Sequence, residues 1–381
     1  MSGGRDAFVE GVLHGKDRRA RATLLRALLT LLSYGHRTVL ETYLLPFRIG
    51  LRRRYRLRDA HGRPVQTICI GNLSSGGTGK TPMAQLVAGH LHQTGRRVAL
   101  LSRGHGGIGE AGHAPRIVSD GTRTLIGPDD AGDEPTLLAE SLPGVPVVVG
   151  RDRRRSGRLA VETFAPTVVV LDDALQYWQL ERDLDIVLLD ARRPFDNGYL
   201  LPRGLLREPP AHLARAGIIV LTRSDRVMPA EREALLARVA ALAPGASVFT
   251  ATHAPVGWVR ASDRALLPLN ALAGRSARLF SGIADNQAFR ESVESLGVQI
   301  TDARFFGDHF GYTATDLAAF DTSGLTVTTE KDLVKVAALW PGPMGDLYAL
   351  RIDMRVEDEA RLFALVEGLK GDPLAGADLV S

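Results

Sequence analysis

Residues 65–92 constrain the fold more than any other stretch, because an apolar run, a glycine-rich turn and a helical pattern follow one another there. The run 67–70 is apolar and β-branched, which predicts a buried strand. The turn contains Gly76, Gly77 and Gly79. Lys80 and Thr81 then begin a segment that we predict to be helical to about Leu91. A strand, a glycine turn and a helix N-terminus in this order are typical of a loop that binds phosphate.

The residue types in this turn suit a nucleotide. Backbone N–H groups and the positive end of the helix dipole face the anion, Lys80 reaches the outer phosphates, and the Thr81 hydroxyl can bind Mg²⁺. The usual pattern Gly-x-x-x-x-Gly-Lys-Thr has glycine where this chain has Ser74. The alternative is a glycine-rich turn with Gly-Lys-Thr by chance, but the flanking strand and helix favour the nucleotide. We expect the nucleotide to be bound by Ser75, Gly76, Gly77, Thr78, Gly79, Lys80 and Thr81.

Composition indicates the size, the cellular compartment and the type of partner of this protein, but it says little about the fold. The 381 residues are 45% hydrophobic and 24% charged, which is enough chain for two domains or one large one with a buried core. The single cysteine, Cys69, excludes an internal disulfide and a cysteine metal cluster, and fits a reducing cytosol. Residues 1–60 hold 13 Lys and Arg against 5 Asp and Glu, although the whole chain has a net charge of only +4. This asymmetry predicts an anionic partner at the N-terminus, either nucleic acid or membrane.

Residues 22–49 carry apolar side chains at spacings of three and four, which predicts an amphipathic helix, or a pair of helices, ending near Pro46. Charged residues interrupt the run, so it falls short of the roughly 20 apolar residues that a membrane-spanning helix needs. No small-residue cleavage site is evident, which argues against a signal peptide. Five of the seven residues at 52–58 are arginines. An apolar face beside a basic cluster is typical of an interfacial membrane anchor; the alternative is a helix packed on the protein's own core.

Short apolar runs alternate with helical segments after the phosphate loop, which predicts a doubly wound, parallel α/β sheet of the P-loop NTPase type. The predicted strands are 98–102, 147–149, 167–171, 185–189, 217–221 and 247–252. Residues 104–128 are rich in glycine and proline and are predicted to form a long loop. A second α/β pattern has predicted strands at 278–281, 325–328 and 348–356, with helices at 285–296, 331–339 and 357–369. We therefore predict a basic amphipathic segment at 1–60, a P-loop domain at 61–250 and a smaller α/β domain at 251–381.

Two adjacent aspartates, Asp172 and Asp173, follow the apolar run 168–171. In phosphate-loop proteins the acid at such a strand end holds Mg²⁺ directly or through water, which would complete what Thr81 begins. The alternative is a plain turn. With the phosphate loop present, the pattern favours a metal role for at least one of the two.

A carboxylate and a carboxylate–imidazole pair lie in two other turns. Asp133 precedes a predicted helix and could either cap it or act as a base. Asp308 and His309 are suited to removing a proton from a sugar hydroxyl, although a loop histidine by chance is the commoner case. Only the fold can bring Asp133 and His309 together.

Further polar residues have weaker signals. Arg103 follows the strand 98–102 and could contact the nucleotide or the acceptor, or lie in a solvent loop. The basic cluster 151–155 follows another strand end, where ligands bind in doubly wound sheets. Glu208 is a loop carboxylate that by itself indicates little.

Seven motifs, taken together and in order, resemble the tetraacyldisaccharide 4′-kinase family, the lipid A kinases of Gram-negative bacteria. The resemblance runs from about Ala22 to about Val356. The motifs lie at 71–82, 101–107, 131–135, 171–176, 201–208, 307–309 and 329–332. The family has a non-glycine residue where this chain has Ser74. This chain departs from the family's usual Asp-Asp-Gly-Phe-Gln-His by having Ala174, Leu175 and Tyr177.

The resemblance implies a role for each matching residue. Lys80 and Thr81 would bind ATP and Mg²⁺, with Arg103 near the nucleotide. The metal would be held by Thr81, Asp172 and Asp173, assisted by Glu208. Asp133 would be the base that faces the 4′-hydroxyl, with His309 as its partner. The family also has an N-terminal amphipathic helix at the inner membrane.

The sequence therefore predicts an ATP-dependent kinase that acts on the 4′-hydroxyl of an acylated glucosamine disaccharide at the cytoplasmic face of the bacterial inner membrane. The alternative is a nucleotide-switch ATPase or GTPase of the partitioning or metallochaperone kind. Those proteins usually have a second lysine just before the two glycines, where this chain has Ser75. A nucleic-acid-binding ATPase is less favoured, because the arginine cluster at 52–58 has no interleaved aromatic residue apart from Tyr55.

Overall fold

The structure, a computed structural model, describes residues 11–12, 17, 19–107, 114–308, 310–318 and 324–369. Its strands are β1 Gln66–Asn72, β2 Val98–Ser102, β3 Arg116–Ser119, β4 Val147–Val149, β5 Val168–Asp172, β6 Leu184–Asp190, β7 Ile218–Thr222, β8 Ser247–Arg260, β9 Leu266–Leu267, β10 Ser276–Ser281, β11 Gln299–Phe305, β12 Thr326–Thr329 and β13 Leu347–Val356. Its helices are α1 Ala20–Arg48, α2 Lys80–Gln93, α3 Pro128–Ala131, α4 Asp133–Ser141, α5 Arg153–Phe164, α6 Pro229–Leu242, α7 Asn286–Ser295, α8 Ala314–Ala318, α9 Glu330–Val336 and α10 Glu359–Glu367.

All these strands belong to one mixed, mostly parallel sheet. Its order is β11-β10-β12-β13-β8-β7-β6-β1-β5-β2-β4-β3, and β9 pairs with β8. From β4 to the start of β8 the neighbours are parallel, and β3 is added antiparallel at the edge. The predicted doubly wound α/β fold is confirmed for this half.

Strand β8 joins the two halves of the sheet. Its first residues pair parallel with β7, and the rest pairs antiparallel with β13, beyond which β12, β10 and β11 follow in parallel. β8 thus runs through residue 250, where we predicted a domain boundary. The division into three segments stays a prediction.

The core lies on both faces of the first half because side chains alternate along each strand. In β1, Ile68 and Ile70 pack with Met83 and Val87 of α2 on one face. Cys69 packs into the core of the other face, and burial raises the pKa of its thiol to about 12. The C-terminal elements β13 and α10 also contribute buried side chains to the α2 face.

Helix α1 is a single helix that passes through Pro46, where the sequence suggested an end. Leu44 and Phe47 pack on Trp178, whereas most of its other large apolar side chains are exposed. None of the described helices is both long enough and apolar enough to cross a membrane.

Other differences from the sequence predictions have local causes. β8 extends eight residues beyond the predicted end at 252, because pairing with β13 and β9 supports a stretch of mixed polarity. The short strand β3 lies inside the predicted loop 104–128. The edge strand β11 was missed because most of its side chains are exposed and give no apolar run.

Candidate functional site

The phosphate loop connects the end of β1 to the first turn of α2. Gly79 immediately precedes α2 with a φ of +90°, and Gly76 has a φ of +121°, both of which favour glycine. A Cβ atom on Gly79 would lie 2.7 Å from Nε2 of His253 and 2.7 Å from Cε of Met354. The turn therefore needs glycine at position 79 both for its backbone conformation and for space.

Side chains from neighbouring strand ends hold this loop in place. Asn72 Nδ2 donates a hydrogen bond of 2.8 Å to the Thr78 hydroxyl, and the Thr222 hydroxyl donates one of 3.0 Å to the Thr78 carbonyl. Arg223 donates to the Gly77 carbonyl at 2.9 Å. The sequence motif did not identify these supporting residues; a polar side chain at the end of an apolar strand is the only signal that each one gives.

The loop is open where phosphates would lie. Ser75, Gly76 and Gly77 are exposed, and Lys80 and Thr81 are partly exposed at the N-terminus of α2. This geometry suits phosphate binding, because backbone N–H groups at a helix N-terminus favour an anion.

Asp173 lies beside the lysine of the phosphate loop. Its carboxylate is 3.7 Å from Lys80 Nζ and accepts hydrogen bonds of 2.8 and 3.3 Å from the Arg207 guanidinium. Burial raises the pKa of Asp173, but Lys80 and Arg207 outweigh burial, so the pKa is lowered overall. Asp173 is therefore an anion held between two cations, and Arg207 is a site residue to which the sequence assigned no role.

Asp172, the last residue of β5, is buried and only partly satisfied. Ser102 Oγ donates to its Oδ2 at 3.3 Å, while Oδ1 has no hydrogen-bond partner among the described residues. Burial, together with the nearby carboxylates of Glu134 and Asp173, raises the pKa of Asp172 to about 7. A buried carboxylate in this state gains stability from a cation.

These residues fit Mg²⁺. The Asp172 carboxylate and the Thr81 hydroxyl are the oxygen ligands that this ion prefers, and both lie at the phosphate loop or the strand end beside it. Within the described ranges, no group of three or more His, Cys, Asp or Glu side chains could hold a metal ion. Mg²⁺ in nucleotide sites typically takes one or two carboxylates and completes its shell with phosphate oxygens and water.

The side of the site that we predict to face the acceptor is built around Asp133, a buried residue that begins α4 rather than capping it. Its Oδ1 accepts the Glu134 backbone N–H at 2.9 Å. Its Oδ2 lies 3.7 Å from Lys331 Nζ and 3.9 Å from Lys335 Nζ. Lys331 Nζ also lies 3.8 Å from Glu134 and 3.4 Å from Asp308.

Lys331 therefore brings two distant motifs together. Burial lowers the pKa of Lys331, but Asp133, Glu134 and Asp308 outweigh burial and raise it overall, so Lys331 is a cation at neutral pH. His309 lies outside the described residues, and its pairing with Asp133 stays a prediction. Lys331 belongs to the motif 329–332, for which the sequence suggested no chemistry.

Two arginines follow the neighbouring strands β2 and β4, and one of them, Arg153, lies within electrostatic range of both aspartates. Arg103 is exposed directly after β2, whereas Arg153 is buried at the start of α5. Burial lowers the pKa of Arg153 to about 10, although the charges of Asp172 and Asp173 oppose this shift. A buried guanidinium near two carboxylates and a phosphate loop can neutralise charge on a bound nucleotide.

Glu208 is engaged in a buried network. It accepts two hydrogen bonds of 2.8 Å from Arg215 and one of 3.0 Å from Gln176, and its Oε2 lies 2.7 Å from His212 Nδ1. Burial raises the pKa of Glu208, but His212 and Arg215 outweigh burial and lower it to about 2. Through His212, which lies 3.0 Å from Glu41, the network reaches α1. The predicted metal role of Glu208 stays a prediction.

Tyr177, at the position where the resemblance implies histidine, donates a hydrogen bond of 2.6 Å from its hydroxyl to Asp152, the residue that caps α5. Burial and the Asp152 carboxylate raise the pKa of Tyr177 to about 12. Asp173 takes its partners from Lys80 and Arg207 instead.

Comparisons with known proteins agree with this geometry. A family model described as LpxK, tetraacyldisaccharide-1-P 4′-kinase, matches residues 25–369. A tetraacyldisaccharide 4′-kinase of Anaeromyxobacter dehalogenans (strain 2CP-C) is 44% identical over 299 residues, covering 77% of this chain and 78% of the relative. One of Desulfatibacillum aliphaticivorans is 39% identical over 339 residues, covering 84% and 89%.

A solved structure is also similar. The crystal structure of LpxK from Aquifex aeolicus, described as an "apo" form in complex with ATP, superposes with a TM-score of 0.74 at 30% identity. The similarity covers 90% of this chain and 98% of the Aquifex chain. The fold of the described residues is thus the fold of that protein.

Proposed function

The chain belongs to the tetraacyldisaccharide-1-P 4′-kinase family, and on that premise we propose that it transfers the γ-phosphoryl group of ATP to the 4′-hydroxyl of a tetraacylated glucosamine disaccharide 1-phosphate. One structural observation carries the proposal. A phosphate loop with Lys80 beside Asp173 lies next to a buried, half-satisfied Asp172. Phosphoryl transfer needs mainly this kind of positioning and charge neutralisation.

On the nucleotide side, the loop N–H groups and Lys80 bind the β- and γ-phosphates. Mg²⁺, held by Thr81 and Asp172, would neutralise charge that develops on the phosphate oxygens. Asp173 keeps Lys80 and Arg207 at the loop, since its carboxylate contacts both. Arg153 adds a buried positive charge near the two aspartates.

On the acceptor side, Asp133 takes the proton. The 4′-hydroxyl oxygen forms a bond to the γ-phosphorus while the bond from that phosphorus to the β–γ bridging oxygen breaks. The hydroxyl proton passes to the Asp133 carboxylate, and ADP and a phosphomonoester are the products. Lys331 and Lys335 support this role, because they hold Asp133 among cations at 3.7 and 3.9 Å. We propose His309 as the partner of Asp133.

Radiolabel transfer from γ-labelled ATP to the acylated disaccharide in detergent micelles tests this function. Asp133→Asn should lower kcat by about 10²–10⁴ because a general base is lost, with ATP affinity unchanged. Asp129→Asn is the matched control, since Asp129 is an exposed aspartate in the neighbouring α3. ATP hydrolysis without label on the lipid would support the nucleotide-switch ATPase instead, and near-normal transfer by Asp133→Asn would refute the assignment of the base.

We also propose that α1 and the arginines after it bind the cytoplasmic face of an anionic inner membrane. Most exposed large apolar side chains of the described residues lie in this segment. They are Leu24, Leu28, Leu31, Leu32, Tyr34, Val39, Tyr43, Leu45, Ile49 and Leu51. The basic residues at 52–58 follow directly, and each cation near an anionic surface adds about 1 kcal/mol of binding. A patch of this kind is typical of a helix that lies in the membrane interface.

Vesicle flotation tests the membrane surface with a matched pair of variants. Leu28, 52% exposed on α1, and Leu266, 50% exposed on β9, differ in place but not in exposure. Leu28→Gln should weaken binding to phosphatidylglycerol-containing vesicles about tenfold, because burying one leucine side chain contributes about 1.5–3 kcal/mol, whereas Leu266→Gln should not. Equal effects of the two substitutions would contradict the proposed surface.

A further inference from the structure

A cavity of about 250 Å³ lies at the end of the sheet away from the phosphate loop. The loop follows the carboxyl end of β1, whereas the cavity is lined at Leu184, the first residue of β6, and at Gly217, just before β7. β1 and β6 are parallel, with Ile68 opposite Leu184, so the two sites lie at opposite ends of the same strands. The side chains that give the cavity its charge are Arg54, Arg182, Asp183, Asp185 and Arg215, beside Trp178.

Three guanidinium groups meet at this cavity, and two of them stack on one indole. The Arg54 and Arg215 guanidinium groups lie 4.9 and 4.8 Å from the centre of the Trp178 ring. Trp178 itself is buried, and its Nε1 has no hydrogen-bond partner among the described residues. Cation–π contact with the ring holds these two guanidinium groups at the cavity, and their positive charge favours an anion there.

The carboxylates at the cavity are already committed. Asp183 lies 2.7 Å from Arg56 and also accepts the Thr67 backbone N–H at 2.7 Å. Asp185 pairs with Arg182 at 2.8 Å. Each of these two carboxylates is therefore neutralised by a neighbouring arginine.

Arg54 is the cation left over. Arg215 is paired with Glu208 at 2.8 Å, but the Arg54 side chain makes no ion pair or hydrogen bond within the described ranges. Burial and the charge of Arg182 lower the pKa of Arg54, as expected for a guanidinium held near like charges.

We propose that this cavity binds one phosphate group, either inorganic phosphate or the phosphodiester of an anionic lipid headgroup. A planar guanidinium group can donate two parallel hydrogen bonds to two oxygens of one phosphate. Such charge-assisted hydrogen bonds are stronger than those between neutral groups. A lipid headgroup can reach this cavity, since Arg54 follows the exposed Ile49 and Leu51 by only a few residues. The proposed site does not depend on the kinase activity, and it is separate from the phosphate loop.

Two neighbouring arginines provide the test. Arg54→Ala and Arg53→Ala each remove one exposed positive charge from the same basic stretch, but Arg53 does not line the cavity. Binding of inorganic phosphate to the full chain is measured by calorimetry, with a non-hydrolysable ATP analogue filling the phosphate loop. Flotation is measured on vesicles of phosphatidylcholine alone and of phosphatidylcholine with one-fifth phosphatidylglycerol. Arg54→Lys reports whether the guanidinium fork, beyond its charge, is needed, and thermal unfolding checks the fold of each variant.

We expect Arg54→Ala to weaken phosphate binding about tenfold, the loss of a charge-assisted contact, and Arg53→Ala to leave it unchanged. If phosphate binds in this way and competes with phosphatidylglycerol vesicles, both sources share the site. If inorganic phosphate does not bind but Arg54→Ala weakens binding to phosphatidylglycerol vesicles more than Arg53→Ala does, the ligand is the lipid phosphodiester. Equal behaviour of the two alanine variants with both probes would overturn the proposal, whether or not phosphate binds.

Discussion

The nucleotide side and the acceptor side of the site are assembled in different ways. The nucleotide side is centred on one continuous stretch, in which β1, the glycine turn and α2 supply the loop, Lys80 and Thr81. The acceptor side draws Asp133 from the start of α4, Lys331 from α9 and Asp308 from the turn after β11. The first is readable from local spacing, whereas the second exists only after the two halves of the sheet are joined.

This difference predicts two kinds of variant. A change on the nucleotide side should weaken ATP binding and turnover together, because in the proposed mechanism the same groups bind the phosphates and stabilise their charge during transfer. A change on the acceptor side should lower turnover and leave ATP binding intact. If variants on both sides change ATP affinity and turnover in the same way, the two sides act as one unit.

Lys80→Met should have the largest effect. Lys80 lies in the phosphate loop, 3.7 Å from Asp173, so its loss removes positive charge from the phosphates and leaves Arg207 as the cation in contact with Asp173. We expect kcat to fall about 10³-fold and ATP affinity to fall with it. Phosphoryl transfer and nucleotide binding are measured side by side. A normal ATP affinity in this variant would contradict the prediction that nucleotide-side changes weaken ATP binding and turnover together.

Lys331→Met should have a smaller and purely acceptor-side effect. Without Lys331, the carboxylates of Asp133, Glu134 and Asp308 face each other with less compensation, and an opposite charge at this range shifts a carboxyl pKa by about one unit or more. We expect turnover to fall by up to about tenfold at acidic pH, where a base with a raised pKa is protonated more of the time, with ATP affinity unchanged. The acid limb of the kcat/KM profile should also move to higher pH.

Lys331→Arg is the matched control, because it keeps the charge. It should restore the pH profile even if turnover recovers only in part. A fall in turnover with an unshifted acid limb would mean that Lys331 positions α9 and has no electrostatic influence on the base.

The sequence predicted the nucleotide side well for a physical reason. Glycine conformations, a helix N-terminus and a strand end are local properties, and β2 and β4 were placed to the residue. The partners of the loop were not predicted. Arg207 contacts Asn72 and Asp173 from a turn that is distant in sequence, and Arg223 contacts Gly77 from just after β7. Nothing in their local sequence distinguishes them from any surface arginine.

The pairing of the two acceptor-side motifs was predicted only through family resemblance. Spacing in the sequence does not bring Asp133 to Asp308, and Lys331 was not assigned a role although its motif was noticed. The extended β8, which carries the chain from the first half of the sheet to the second, was predicted eight residues too short. Apolar periodicity thus revealed only the first part of the element that joins the two sides.

The smallest predicted effect tests whether residues far from the motif in sequence help to shape the phosphate loop. Gly79 lies against His253 of β8 and Met354 of β13, both of which belong to the joining strands. Burial lowers the pKa of His253 to about 4, with Arg223 also lowering it and Asp190 opposing. The folded protein therefore keeps His253 neutral at the base of the phosphate loop.

The sign of the pH dependence follows from this shift. A histidine whose folded pKa lies below its ordinary value of 6.5 binds fewer protons in the folded state than in the unfolded state. Its cost to stability is absent above about pH 6.5 and grows as pH falls toward 4, reaching about 3 kcal/mol at most. His253→Gln should remove that part of the loss, so its Tm should fall less than that of the unsubstituted protein, by a few degrees, between pH 7 and pH 4.5. His61→Gln, at an exposed histidine, is the control and should follow the unsubstituted protein. If His253→Gln also weakens ATP binding at neutral pH, the phosphate loop depends on β8 and β13 for its shape. The two sides of the site would then differ only in where their functional groups lie in the sequence. If ATP binding is unchanged, β1, the turn and α2 are sufficient to set the geometry of the loop.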